Sequence, residues 1–448
     1  MSSDHDLRRI LAACRGEAAL RIRRAAAREG LEVVGLIDPS RDQEPVWADE
    51  LDGAAVAAPD ARGRWPSVEA AVSAAIDAGC DAVYPGWGAR VRDPDLGHLA
   101  RRMGLLPIGP PPELLATVAD RRGMWAVAEE VGLPVVPGSE PITDLAQAQT
   151  WLAWAGLPAV VRSLDPGLPD GHHVVDMETA EKIVADLLPY GPVMVERHVV
   201  GAREVEVPII GDGSGRVVCL ADREITVRDG AVRVLTEAPA PSLRGTGRTE
   251  VLAYADALAR QLKWRGVASV RFLVPVDGRP YFLQVRPGVQ PWHGATEALL
   301  GVDLIDAELQ LAGGFPLFWR RSDISPEGHA IALRVRAAVS GERVGAVTLA
   351  DGLRLDSALL EGDMTVAGRA LGTLVVRAPT RQACIVRARA ALDRWPQAGV
   401  TPDLGMLHRL FNDREFWRAP LDREAVAALG TPSPGAAAVP AAPEDHSD

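Results

Sequence analysis

Residues 7–37, LRRILAACRGEAALRIRRAAAREGLEVVGLI, decide the fold. LRRILAAC opens with a short apolar run, and Arg15-Gly16 supplies a turn. EAALRIRRAAAREG then carries Ala19, Leu20, Ile22 and Ala26 as an apolar stripe and stops at Gly30, which predicts a helix. LEVVGLI reads as a second strand ending at Asp38-Pro39. A helix at about 67–78 and the strand CDAVYP continue the pattern. Alternation of this kind predicts a mostly parallel sheet with helices on both faces. A dinucleotide site would need G-x-G-x-x-G after the first strand, but CRGE offers a single glycine. Asp38 is placed to read as a ribose ligand, yet without that fingerprint it reads better as a cap.

Further along, LARRMGLLPIGPPPE (99–113) gives a helix, a strand and a proline-rich break. A smaller unit follows to about 205, with strands at PAVVRS (158–163) and VMVERHV (193–199) and a loop DPGLPDG between them. From 203 the period changes to two. REVEVPIIGD, RVVCLADREITV and AVRVLTEAP predict antiparallel strands, and ASVRFLVPVDGRPYFLQVRPG a hairpin. RTEVLAYADALARQLKW, GVDLIDAELQLAGG and RQACIVRARAALDRW read as helices, with strands between 329 and 378. The last residues, 430–448, are small, proline-rich and polar, a composition that predicts disorder.

The 448 residues carry 48 basic and 60 acidic side chains, a formal charge of -12, which argues against a general nucleic-acid binder. Only Lys182 and Lys263 are lysines, so arginine supplies the other 46 basic residues. Cys14, Cys80, Cys219 and Cys384 form no short pair, so no zinc knuckle or redox pair is expected. The N-terminus has no signal-peptide core and no apolar run reaches membrane-spanning length, so a cytoplasmic protein without membrane partners is expected.

The segments CRGEAALRIRRAAAREG, DAVYPGWG, PIGPPPE, VGLPVVPGS, MVERHV, EVEVPIIGD, TEAPAP, RGVASVRFL, YFLQVRPGVQPWHGATE, LLGVDLIDAELQLAGG and GHAIALRV occur in an order and spacing that resembles the biotin carboxylase family, which has an ATP-grasp fold. The resemblance runs from about residue 7 to about 418. It implies an α/β and α+β chain: an N-terminal Rossmann-like (PreATP-grasp) domain at 1–112, an ATP-grasp domain at 113–328 with a lid at about 130–205, a C-terminal domain at 329–425 and a tail at 426–448. It also implies a homodimer and carboxylase or carboxyltransferase partner subunits. No biotinyl domain is recognised, so no covalently attached biotin is expected.

Family members use ATP and magnesium to make carboxyphosphate from bicarbonate and then carboxylate biotin. Matched onto that chemistry, Arg121, Arg162 and Arg233 stand where the family has lysines, as possible nucleotide or anion contacts, and Glu196 matches the segment that meets adenine. The lid loop has Pro166, Pro169, Asp165 and Asp170 where the family has glycines. Arg271 and Gln284 match the two metal glutamates and Arg286 a neighbouring asparagine. Gly288 matches the bicarbonate arginine and Trp292 the general base, while Gln290 and His293 are retained remnants of that pocket. Arg228 and Ala231 replace a substrate-facing glutamine and histidine. Arg354 matches the arginine that stabilises carboxyphosphate or the biotin enolate.

Guanidiniums cannot ligate magnesium and an indole cannot take a proton from bicarbonate. The resulting expectation is a catalytically inactive biotin-carboxylase-like subunit with a structural or regulatory role in a biotin-dependent carboxylase assembly. ATP binding stays open and magnesium is not expected. The alternatives are a repurposed ligase or anion-binding enzyme, whose arginines form a positive cleft, and a weak ATP-dependent biotin carboxylase.

Overall fold

The computed structural model describes residues 7–418 apart from 40–45, 62, 64, 166–170, 230–231, 347–348, 358, 362 and 396–398. The lid-loop residues Pro166, Pro169 and Asp170, Ala231 and the 426–448 tail therefore lie outside the described residues.

The first sheet is parallel, in the order β3-β2-β1-β4-β5. Its strands are β1 (Arg9–Ala12), β2 (Glu32–Ile37), β3 (Gly53–Val56), β4 (Ala82–Tyr84) and β5 (Leu106–Pro107). Alternation along β1 supplies both faces. Ile10 and Ala12 pack with the helix Glu17–Arg28, while Leu11 and Ala13 pack with the helix Val68–Asp77. Gly16, at φ +58°, makes the turn that the sequence places before the first helix. That helix buries Leu20, Ile22 and Ala26, with about 1.5–3 kcal/mol expected from each large apolar side chain.

A separate three-stranded antiparallel sheet has the order β7-β6-β8, from β6 (Ala159–Ser163), β7 (His172–Val174) and β8 (Val193–Arg197). The helices Leu145–Ala155 and Met177–Leu187 pack on it, N-capped by Asp144 and Asp176.

Nine strands among the described residues form the central sheet. They are β9 (Arg203–Asp212), β10 (Val217–Cys219), β11 (Arg223–Asp229), β12 (Val232–Ala238), β13 (Arg265–Val274), β14 (Tyr281–Pro287), β15 (His329–Arg336), β16 (Leu353–Asp356) and β17 (Ala370–Ala378). The order is β14-β13-β9-β11-β12-β15-β17-β16, with β10 paired to β9. The run 216–227, read as one strand, is divided into β10 and the start of β11. One part of this sheet packs under the helix Thr246–Gln261 and the other under the helix Arg381–Leu392. No helix of the described residues is long and apolar enough to cross a membrane. All four cysteines are free and buried.

Candidate active site

In the three-stranded sheet, Arg162 on β6 and Glu196 on β8 lie on neighbouring strands, and Arg162 Nε donates to Glu196 Oε2 at 2.8 Å. Arg121 opens the helix Arg121–Glu130, which Asp120 caps. It donates to the other Glu196 oxygen at 2.5 Å and to the Leu283 carbonyl on β14 at 3.0 Å, tying the three-stranded sheet to the central sheet. Burial pushes the Glu196 carboxyl up, but Arg162 and Arg121 hold it below the ordinary carboxylate range. Two of the three arginines expected as nucleotide or anion contacts, Arg121 and Arg162, are thus brought together on one carboxylate, while Arg233 pairs with Glu206.

The central cluster follows from strand register. Gln284 faces Arg271 across β14 and β13, Arg271 faces Glu206 across β13 and β9, and Glu206 faces Arg223 across β9 and β11. Glu206 accepts from Arg223 at 2.9 Å and from Arg233 at 2.7 Å, and Arg271 Nε lies 3.2 Å from it as an ion pair. Glu204, two residues earlier on the same face, pairs with Arg228 at 2.5 Å and with Arg271. Burial raises both carboxyls, but the surrounding guanidiniums hold them well below the ordinary range. Gln284, with its amide oxygen turned towards them, accepts from Arg286 at 3.0 Å and from Arg271.

This donor set does not fit a resident metal. Arg271 and Arg286 offer no lone pair, and the Gln284 oxygen faces two guanidiniums. Glu204 and Glu206 are committed to arginines. Among the described residues no group of three or more His, Cys, Asp or Glu side chains is arranged to hold a metal ion.

A third group surrounds Arg354 on β16. Its guanidinium donates to Glu297 at 2.6 Å and to Asp356 at 2.9 Å, and faces His293 Nε2 at 3.3 Å. Burial favours neutral imidazole and draws the His293 pKa down. Nδ1 lies 2.9 Å from the Gln290 carbonyl, so the proton belongs on Nδ1 and the Nε2 lone pair faces Arg354. The Gln290 amide donates to the Pro287 and Gly288 carbonyls, which fixes the turn before this helix. Trp292 caps the helix His293–Leu300, and the Arg233 guanidinium lies 4.5 Å from its ring centroid. Gly288 has φ +74°, and an added Cβ there would meet Val91 at 2.3 Å, so a side chain is excluded sterically.

The partner carboxylates were missed by sequence reasoning: Glu204, Glu206, Glu297 and Asp356. Their signals were present as E-x-E on a strand and as His293 and Glu297 four apart on one helix face.

Fold and site together define an ATP-grasp protein with an N-terminal Rossmann-like domain. Residues 6–115 match the family model of the biotin carboxylase N-terminal domain. Residues 120–319 match that of the carbamoyl-phosphate synthase L chain ATP-binding domain. The biotin carboxylase of Allochromatium vinosum is 31% identical over 343 residues, covering 74% of this chain and 76% of the relative. The chain belongs to the biotin carboxylase family. The mitochondrial methylcrotonoyl-CoA carboxylase subunit alpha of Glycine max is 27% identical over 93% of this chain, which spans 60% of that relative's length. The biotin carboxylase domain of the Hydrogenobacter thermophilus 2-oxoglutarate carboxylase, solved as a dimer with MgADP, ADP and bicarbonate, superposes with a TM-score of 0.86. It is 21% identical, over 95% of this chain and 99% of that one.

These comparisons correct two expectations. A catalytically inactive subunit, or pseudoenzyme, is overturned by near-full-length similarity to carboxylases and by the buried ion pairs that fill the site. The expectation against magnesium is overturned by the MgADP complex of a protein with the same fold. What the side chains exclude is narrower: residues 271, 284 and 286 do not themselves form a ligand set.

Proposed function

We propose that the chain is an ATP-dependent biotin carboxylase of low turnover. The observation that carries this reading is the 31% identity to a biotin carboxylase across three quarters of that enzyme. Arg121 and Arg162 would exchange Glu196 for nucleotide phosphates, with Glu196 turning towards the base. Arg233 and Gln290 would border the bicarbonate, and Arg354 would stabilise carboxyphosphate and the enolate of biotin.

The charged oxygen of bicarbonate attacks the γ-phosphorus and ADP leaves. The carboxyl carbon then passes to the ureido nitrogen of biotin as its bond to the phosphate oxygen breaks, and the released phosphate takes up the proton that leaves the ureido nitrogen. The first step balances without a base, because the attacking oxygen already carries the charge. Low turnover is expected because Trp292 only donates and because no step can be routed through a metal held by residues 271, 284 and 286. Magnesium would supply charge neutralisation on the phosphates when bound with the nucleotide. A homodimer, carboxyltransferase partners and the division at residues 112 and 328 belong to the same proposal.

The test is ADP release measured with and without bicarbonate and free biotin. Release that requires bicarbonate, and that falls about 100-fold in Arg354→Ala, is expected. Release that ignores bicarbonate, or none above background, would reject the reading.

A further inference from the structure

A cavity of about 200 Å³ lies where the loop after β5, the start of β13 and the helix Leu304–Ala312 meet. Gly109, Arg265, Gly266, Glu308 and Leu311 stand on its wall. Arg265 opens β13, about 20 Å along the strand from Arg271, so the cavity stands apart from the arginine–carboxylate cluster. Two glycines keep it clear. An added Cβ at Gly109 would meet nothing within 4 Å, and one at Gly266 would crowd Glu308 Oε1 at 3.3 Å. The wall carries one charge of each sign without a counter-ion. Glu308 is buried and accepts only from neutral donors, the Tyr84 hydroxyl at 2.5 Å and the Val267 N–H at 2.8 Å. Burial pushes its carboxyl up, and no cation offsets that rise. Arg265 donates to carbonyls, those of Asp212 at 3.1 Å and Leu311 at 2.9 Å, and among the described residues no carboxylate pairs with it. Arg101, also on the wall, is engaged by Glu113 at 2.7 Å. A charge taken out of water and met only by neutral dipoles keeps much of its desolvation cost.

We propose that this cavity is a binding site for a small aliphatic α-amino acid, its ammonium on the Glu308 carboxylate and its carboxylate on the Arg265 guanidinium. An amine alone leaves Arg265 unmatched and an organic anion alone leaves Glu308 unmatched, whereas a zwitterion answers both. Its side chain lies against Leu106 and Leu311. At roughly 30 Å³ per water the cavity has room for ~7 water-sized groups, the scale of valine. The ligand braces the loop after β5 against β13, and so the parallel sheet against the central one. It needs neither nucleotide nor biotin, so the site stands or falls apart from the carboxylase reading.

The test is calorimetric titration of the full-length protein with L-valine at pH 8, where the Glu308 carboxyl is ionised. A saturable heat with a Kd of about 1 mM or tighter is expected. Isobutylamine lacks the carboxylate and isovalerate lacks the ammonium, so each should bind at least about tenfold more weakly. Glu308→Gln loses the charge and keeps an acceptor for Val267, and Arg265→Gln removes the cation. Each should weaken L-valine at least about tenfold. Ala312→Leu narrows the cavity without touching either charge and should weaken it as well, which decides the matter should the charge variants not fold. No saturable heat with L-valine, equal binding of either half-ligand, or L-valine binding unchanged in the variants that fold would overturn the proposal.

Discussion

Glu308 shows how one side chain can set a pH response. It is buried in the helix Leu304–Ala312, where its oxygens accept from the Tyr84 hydroxyl at 2.5 Å and the Val267 N–H at 2.8 Å. Burial pushes its carboxyl up to about 7, from an ordinary 4.5. Between those values the folded protein holds a proton that the unfolded chain has released. Its contribution is therefore full below about 4.5 and is lost as pH rises through about 7, amounting to ~3 kcal/mol. Glu308→Gln keeps an acceptor for Val267, so urea-unfolding stability should lose this slope between pH 4.5 and 7. A slope that survives the substitution would refute the assignment. Nothing in the sequence around Glu308 marked this. Its burial depends on Tyr84, more than two hundred residues away, and helix periodicity does not reveal such a partner. Arg121, Arg162 and Arg233 read from the sequence as possible nucleotide or anion contacts, and Arg271 as the replacement of a metal glutamate. Their carboxylate partners were not legible, because cross-strand register fixes Glu206 against Arg271 and Arg223.

Among the elements, β13 depends on a single backbone angle near its start. Its second residue, Gly266, has φ +87°, and an added Cβ would lie 3.1 Å from Pro110 N and 3.2 Å from the Gly109 carbonyl carbon. Gly266→Ala should cost ~2 kcal/mol or more from left-handed strain and crowding against the loop after β5. Denaturant unfolding followed by tryptophan fluorescence measures this, and a variant as stable as the parent would show that the seam can relax. The strand–turn–helix–strand opening was fully legible, since apolar spacing and Gly16 and Gly30 are local signals. The pairing of β12 with β15 was not, because Leu235 opposite Leu333 is a contact between distant stretches with similar alternation.

At the scale of the molecule, the three-stranded sheet, proposed as the lid, and the central sheet are joined through Arg121, which holds Glu196 and the Leu283 carbonyl together. A nucleotide that takes over those guanidiniums stabilises the folded chain by mass action, about 2.7 kcal/mol at a hundred times its Kd. The melting temperature should rise by roughly 2 °C or more with MgATP or MgADP. Bicarbonate alone should add far less, and a melting curve unchanged by nucleotide would count against lid engagement. The acidic total charge says nothing of this, because it averages over a surface that hides the arginine-rich interior.

The buried Glu17 on the first helix meets Arg334 on β15 and Thr373 on β17. Arg21, one turn later, reaches Glu297 and Asp303. During synthesis, the opening segment leaves the ribosome long before these counterparts exist. The charge that answers Glu17, on Arg334, lies 317 residues further along, so this ion pair can close only after most of the chain has been made.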